Sequence, residues 1–339
     1  MKKLSILAAL LWLPFSPFTF AFAQSSREPL VIAHAAMSPP VLPLWIAVEK
    51  GFFQKEGLDV TLVFVRGSPV LQAALHSGSI HAGVTGGTAA LSATSGGLEL
   101  QMVANTRSKL TYDIVAKAGI KGPSDIRGKI FGVQAIGGTV WMGAMLGLEH
   151  LGLEPERDKV KIIPVGDQTV LAQALETGTI DLTVLDKPLS MPLKQKGFRI
   201  LVELSRSNIP YAGVGLIFRR SFVEKRPEII ERTLRALIRA IAYLFEPSNK
   251  ASVIEVMMRR FRLLNRTLAD NSYVDALQTI DRKPYPSLDG LRNIQRLMSR
   301  MSPAIAKIRV ENLVDMRFME QLDKSGFIDE AYRTGGLAP

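Results

Sequence analysis

The sequence predicts an α/β protein of two doubly wound lobes joined by two extended strands of chain. Three observations carry that expectation. The chain matches itself at an offset of 100 residues, the repeated unit reads as strand, helix, strand, and a β-favouring run stands on either side of the second copy.

The repeat is gapless. Residues 60–84 lie over 160–184, and nine of the 25 positions are identical, among them Val60/Val160, Leu71/Leu171, Leu75/Leu175, Gly78/Gly178 and Val84/Val184. Val60 to Val65 is a β-rich run, and Val70, Leu71, Ala74 and Leu75 follow at helical spacing. Gly78 ends the helix as a glycine just past the last turn does, and Ile80 to Val84 begins the next strand. Two strands this close around a helix make a parallel crossover, which belongs in a layered sheet. Each copy is preceded by a further strand and helix: 30–35 and 42–50 in the first, 129–134 and 139–150 in the second.

Residues 111–118 and 211–218 are extended and serve as the two crossings between lobes. Pro227 then opens a long helix in which Ile230, Leu234, Leu237, Ile241 and Leu244 recur every three or four residues. Further helices follow, interrupted by a loop at Lys283-Pro284-Tyr285-Pro286-Ser287, and they are expected to pack on the first lobe. The organisation is therefore a leader at 1–23, the first part of lobe one at 24–110, lobe two at 111–210, and 211–339 completing lobe one with the C-terminal helices.

The leader is a secretory signal. Met1-Lys2-Lys3 is positive, 4–13 is apolar apart from Ser5, and Ala21-Phe22-Ala23 places small residues where signal peptidase needs them. Pro14 and Pro17 interrupt the apolar stretch and argue against an uncleaved anchor. A soluble periplasmic protein starting at Gln24 is expected.

The 339 residues include no cysteine, which excludes disulfides, thiol nucleophiles, cysteine metal sites and a lipoprotein anchor. The net charge is +11, and the stretch 206–309, with 20 basic and 9 acidic residues, carries an excess of that size by itself. The excess thus belongs to the helical region, where contact with a permease or anionic lipid suits it better than nucleic acid.

In open α/β sheets ligands bind beyond the carboxyl ends of the strands. That rule selects six loops: 37–40, 66–69 and 85–88 in lobe one, and 136–139, 166–169 and 186–188 in lobe two. Gly-Gly-Thr occurs at 86–88 and again at 137–139, each at a strand-to-helix turn. Free amides there favour an anionic group, although glycine and threonine also simply make a good turn and cap. Trp45 and Trp141 are candidates for stacking or for the core. Asp186 is a candidate partner for a polar or cationic group, with Lys187 as its alternative counter-ion, and Arg66 for an anion. The four histidines show no metal-ligand spacing, His34 reads as a core or rim residue, and no phosphate loop or nucleophile elbow is present.

The segment Pro43-Leu44-Trp45-Ile46-Ala47-Val48-Glu49-Lys50-Gly51-Phe52-Phe53-Gln54-Lys55-Glu56-Gly57-Leu58-Asp59-Val60 resembles the signature of substrate-binding proteins of nitrate, sulfonate and taurine ATP-binding cassette (ABC) importers, the sulfonate-binding and pyrimidine-synthase-like family. The runs 75–86, 124–133 and 150–153 agree with it, and the likeness covers about 30 to 246. It implies a type II periplasmic binding protein that closes on a small molecule and works with an ABC permease; the family's ligands are diverse, so the expectation of a small anionic organic ligand, such as a sulfonate or carboxylate, rests on the cleft loops. A monomer without metal or cofactor is expected. Carried over by position, Ser38, Ser68, Gly87, Thr88, Gly138, Thr139 and Asp186 would face the ligand. The stiff Ser38-Pro39-Pro40 turn departs from the more polar loop of many members, so nitrate or taurine specificity does not transfer. The alternatives are a ligand-presenting sensor subunit and a pyrimidine-synthase-like enzyme. The family's enzymes use a cysteine-rich motif that this chain lacks.

Overall fold

The computed structural model describes residues 27–337 except Ala36 and Arg66. The leader at 1–23 and the Arg66 candidate lie outside the described residues. The strands are β1 (Glu28–His34), β2 (Leu58–Phe64), β3 (Ala82–Thr85), β4 (Leu100–Arg107), β5 (Asp113–Ala116), β6 (Ile130–Val133), β7 (Lys161–Pro164), β8 (Leu182–Leu185), β9 (Arg199–Glu203) and β10 (Val214–Arg219).

They form two five-stranded sheets of the same plan, ordered β2-β1-β3-β10-β4 and β7-β6-β8-β5-β9. In the first, β1 runs parallel to β2 and β3 while β10 runs antiparallel to β3 and β4. In the second, β6 is parallel to β7 and β8 while β5 is antiparallel to β8 and β9. The offset of the sequence repeat survives into the register. Thr85 pairs with Gly215, and Leu185, 100 residues after Thr85, pairs with Asp113.

Both extended runs cross as expected. After β4 the chain enters the second sheet as β5, and after β9 it returns to the first as β10. The crossings hold each other: the Tyr211 amide donates to the Ser108 carbonyl and the Gly213 amide to Arg107, both at 3.0 Å. The hinge is thus a hydrogen-bonded pair of chain crossings, which restricts the lobes to motion about one line.

The helices of the repeat, Ser68–Ser77 and Gln168–Glu176, bury Leu71, Leu75, Leu171 and Leu175 completely. Gly78 and Gly178 follow them with φ of 79° and 83°, the left-handed conformation that favours glycine. β3 and β8 are buried along their whole length, as strands covered on both faces must be.

The long helix Pro227–Phe245 packs where the sequence placed it. Ile230, Leu234, Leu237, Ile241 and Leu244 share one core with Leu30, Ile32, Phe52 and Leu58 of lobe one. Arginines at its start and along it are spent there as well: the N-cap Arg226 pairs with Glu28, and Arg235 with Glu56, each at 3.0 Å.

The helix Leu288–Met298 departs from the expectation that the C-terminal helices pack on the first lobe. It lies against both Gly87–Ser95 of lobe one and Thr139–His150 of lobe two. Its apolar stripe, Leu291, Ile294 and Leu297, joins a core that includes Trp141 and Leu148. Gly290 lets it approach the hinge: a Cβ there would stand 2.4 Å from the backbone of Tyr211 and Ala212.

Candidate functional site

The carboxyl ends of the parallel strands in both sheets carry the loops selected from the sequence. Ser38 is half-buried and precedes the short turn Pro39–Val41, its carbonyl accepting from the Val41 amide at 3.0 Å. Pro40 is anchored in turn by the Thr106 hydroxyl, which donates to its carbonyl at 3.0 Å. Ser68 opens its helix with its hydroxyl 3.5 Å from that of Thr85, at the end of β3. Thr88 is half-buried in the first turn of Gly87–Ser95.

Gly87 corrects the reading of a free amide. Its N–H donates to the Ala212 carbonyl at 2.8 Å, and a Cβ would lie 2.9 Å from Ala212, Leu291 and Ile294. Gly87 is a packing residue against the hinge and the bridging helix. Gly138 caps Thr139–His150 with extended backbone, but its amide donates to the Ala135 carbonyl at 3.2 Å. The Thr139 side chain hydrogen-bonds with the phenol of Tyr211, a residue buried at the hinge. Of the two tryptophans, Trp141 is in the core, while Trp45 is half-buried at the surface of lobe one. His34 is buried, edge-on to Trp45 at 5.5 Å between ring centres.

Asp186 is the predicted residue with the most unusual surroundings. It precedes the helix Lys187–Gln195, its amide donates to Gln168 Oε1 at 2.8 Å, and its carbonyl accepts from Leu189 and Ser190. Its carboxylate Oδ1 is buried without a hydrogen-bond partner. Lys187 does not balance it, but reaches Gln278 instead, at 3.2 Å. Burial pushes the Asp186 carboxyl above its ordinary value, and the charges of Asp275 and Asp113 push it the same way.

Asp275 comes from the helix Arg266–Thr279, which packs on the Pro39–Val41 turn of lobe one. Its carboxyl is also raised by burial, against the opposing pull of Arg107 and Lys187. Arg107, at the end of β4, donates to the Thr111 hydroxyl at 3.4 Å, while its Nε is buried without a partner. Asp113 opens β5, with burial raising its carboxyl and the Ser190 hydroxyl, 2.5 Å away, lowering it. Tyr112 and Tyr211 stand beside Arg107, both phenols raised chiefly by burial.

Among the described residues, Arg107, Lys187, Asp186 and Asp275 make no ion pair. Charges of both signs, contributed by both lobes, therefore meet at the hinge without satisfying one another. Such an arrangement suits a ligand that supplies the missing partners, because unpaired half-buried charge is costly. No group of His, Asp or Glu among the described residues is arranged to hold a metal.

Sequence reasoning singled out Asp186 but missed Arg107, Tyr112, Asp113, Tyr211 and Asp275. Tyr112 and Tyr211 lie on the two crossings, outside the aligned repeat, and nothing in the sequence marked them as site residues. Asp275 had no signal either, since it reaches the cluster only through the packing of a distant helix.

The NMT1/THI5-like family model matches residues 38–251. A putative binding protein of Brucella abortus is 28% identical over 246 residues, covering 70% of this chain and 72% of its own. The periplasmic aliphatic sulphonate binding protein SsuA from Escherichia coli superposes with a TM-score of 0.67 at 19% identity, over 85% of this chain and 92% of its own. The periplasmic nitrate-binding protein NrtA from Synechocystis gives 0.64 at 15%, over 88% and 89%. These structures share the two-lobed periplasmic-binding-protein fold read from the two sheets. The chain belongs to the NMT1/THI5-like family.

Proposed function

We propose that this protein is the periplasmic solute-binding component of an ABC importer, a non-enzymatic monomer that closes its lobes on one small organic molecule and presents the closed form to the permease. The observation that carries the reading is the set of unpaired charges where the lobes meet, Arg107 and Asp275 on one side and Asp186 on the other. A ligand pairing with both sides binds the closed arrangement better than the open one, and closure needs nothing more.

The same charges refine the ligand. Arg107 suits a carboxylate or sulfonate, in keeping with the anion expected from the loops, while Asp186 and Asp275 call for a hydrogen-bond-donating or cationic nitrogen on the same molecule. Calorimetric titration of the purified protein with matched panels tests this: amino-carboxylates and amino-sulfonates, simple anions, and neutral sugars. One-to-one binding restricted to compounds bearing both groups is expected. Preference for neutral sugars would refute the ligand class, and turnover of a bound compound would refute the non-enzymatic reading.

A further inference from the structure

We propose that lobe one carries a second site, separate from the hinge cluster, that takes an organic anion with a flat apolar body. The site is a groove of about 490 Å³, a volume suited to a small organic molecule. Met37, Trp45, Phe64 and Phe261 supply its apolar wall, and Arg259, Arg260 and Arg262 its charge. None of the hinge residues lines it.

The apolar wall is exposed where exposure is unfavourable. Phe64, the last residue of β2, is 47% exposed, and Met37, in the loop after β1, is 40% exposed. Trp45 lines the same groove, with its indole N–H buried and without an acceptor. Arg260 already covers part of the Trp45 face, its guanidinium 4.7 Å from the ring centre. That is the stacking geometry of cation and aromatic, and it leaves a flat, positively charged ledge.

The charge is not neutralised locally. Arg259 and Arg260 both pair with the single carboxylate of Glu49, so two guanidinium groups share one counter-ion. The Arg262 side chain makes no ion pair or hydrogen bond among the described residues, while its backbone N–H donates to the Met258 carbonyl. Arg262 ends the helix Lys250–Phe261 at φ 52°, a left-handed conformation usually left to glycine or asparagine. An arginine held there at a cost in backbone strain points to a use for its side chain. A ligand with a carboxylate, sulfonate or phosphate head at Arg262 and an aromatic or branched apolar body on Phe64 and Met37 satisfies the groove's charge and covers its exposed carbon. The three arginines lie beyond residue 251, where the family match ends, while Trp45 and Phe64 lie within it.

The test uses 1-anilinonaphthalene-8-sulfonate and its uncharged counterpart N-phenyl-1-naphthylamine, titrated into the folded protein and followed by dye emission and tryptophan-to-dye energy transfer, with Trp141→Phe isolating the Trp45 donor in the described residues. The sulfonate dye is expected to bind at one site and to accept transfer, with affinity falling as salt rises. Arg262→Glu and Phe64→Ser should each weaken it at least about tenfold, equivalent to roughly 1.4 kcal/mol. Both positions are exposed, and circular dichroism checks that the variants fold. Equal affinity for the uncharged dye, or unchanged affinity in Arg262→Glu, overturns the proposal. Because Arg262 is absent from the hinge cluster, neither result bears on solute binding there.

Discussion

Arg296 holds Glu149 with both terminal nitrogens, each 2.7 Å from a different carboxylate oxygen. The two residues are 147 positions apart, and the pair joins the bridging helix Leu288–Met298 to the last turn of Thr139–His150 in lobe two. Arg300, 3.7 Å from Glu154, extends the contact. The bridge is bidentate but about half exposed on the arginine side. Its worth to global stability is therefore at most about 1 kcal/mol. Its effect on lobe motion is more direct, since it spans the moving parts. Glu149→Gln should leave the melting temperature within about 3 °C of wild type while broadening the interlobe distance distribution measured between spin labels on the two lobes. A distribution as narrow as wild type would show that the contact does not restrain the hinge.

Gly290→Ala separates packing from helix propensity. Alanine in a helix interior is favoured over glycine by about 0.5–1 kcal/mol, so propensity alone predicts stabilisation. The new Cβ would stand 2.4 Å from the hinge backbone, which cannot yield without moving the crossing. A net destabilisation of about 1–3 kcal/mol is expected in chemical denaturation. A more stable variant would mean that the helix does not seat on Tyr211 and Ala212 as described.

The raised Asp186 carboxyl has a definite sign in stability. A carboxyl whose folded value exceeds its unfolded one binds its proton more tightly when folded. Its stabilising contribution is present below the ordinary carboxylate value and is lost as pH rises through the raised one. Asp186→Asn removes that loss. In the ligand-free protein the variant should melt higher than wild type at pH 7, by about 1–3 °C, and the advantage should vanish near pH 4. A constant difference at both pH values would contradict a raised carboxyl.

The lobes were legible because each rests on local pattern: apolar runs for buried strands, helical spacing at Leu71 and Leu75, and glycine at 78 and 178. The repeat then predicted two lobes of similar plan, and the corresponding pairings of Thr85 and Leu185 follow it, whereas the strand order is seen only in the structure. The site was legible only in part. Asp186 stands at a strand end and could be named from the loop rule, whereas Gly87 follows the same rule and is spent on packing, because a glycine that admits a ligand and one that admits a neighbouring helix look alike in sequence. Arg107 ends a strand with nothing to mark it until the crossing folds beside it. Asp275 sits on a helix with little amphipathic pattern, so the sequence does not say which surface that helix meets.

The central claim is that one small solute is held by charges at the hinge, and native mass spectrometry of the gently isolated protein tests it most directly. The account predicts a single small molecule bound per chain in wild type and its loss in both Arg107→Ala and Asp186→Ala, with each variant still folded. Retention of the same molecule at the same occupancy in both variants would contradict it.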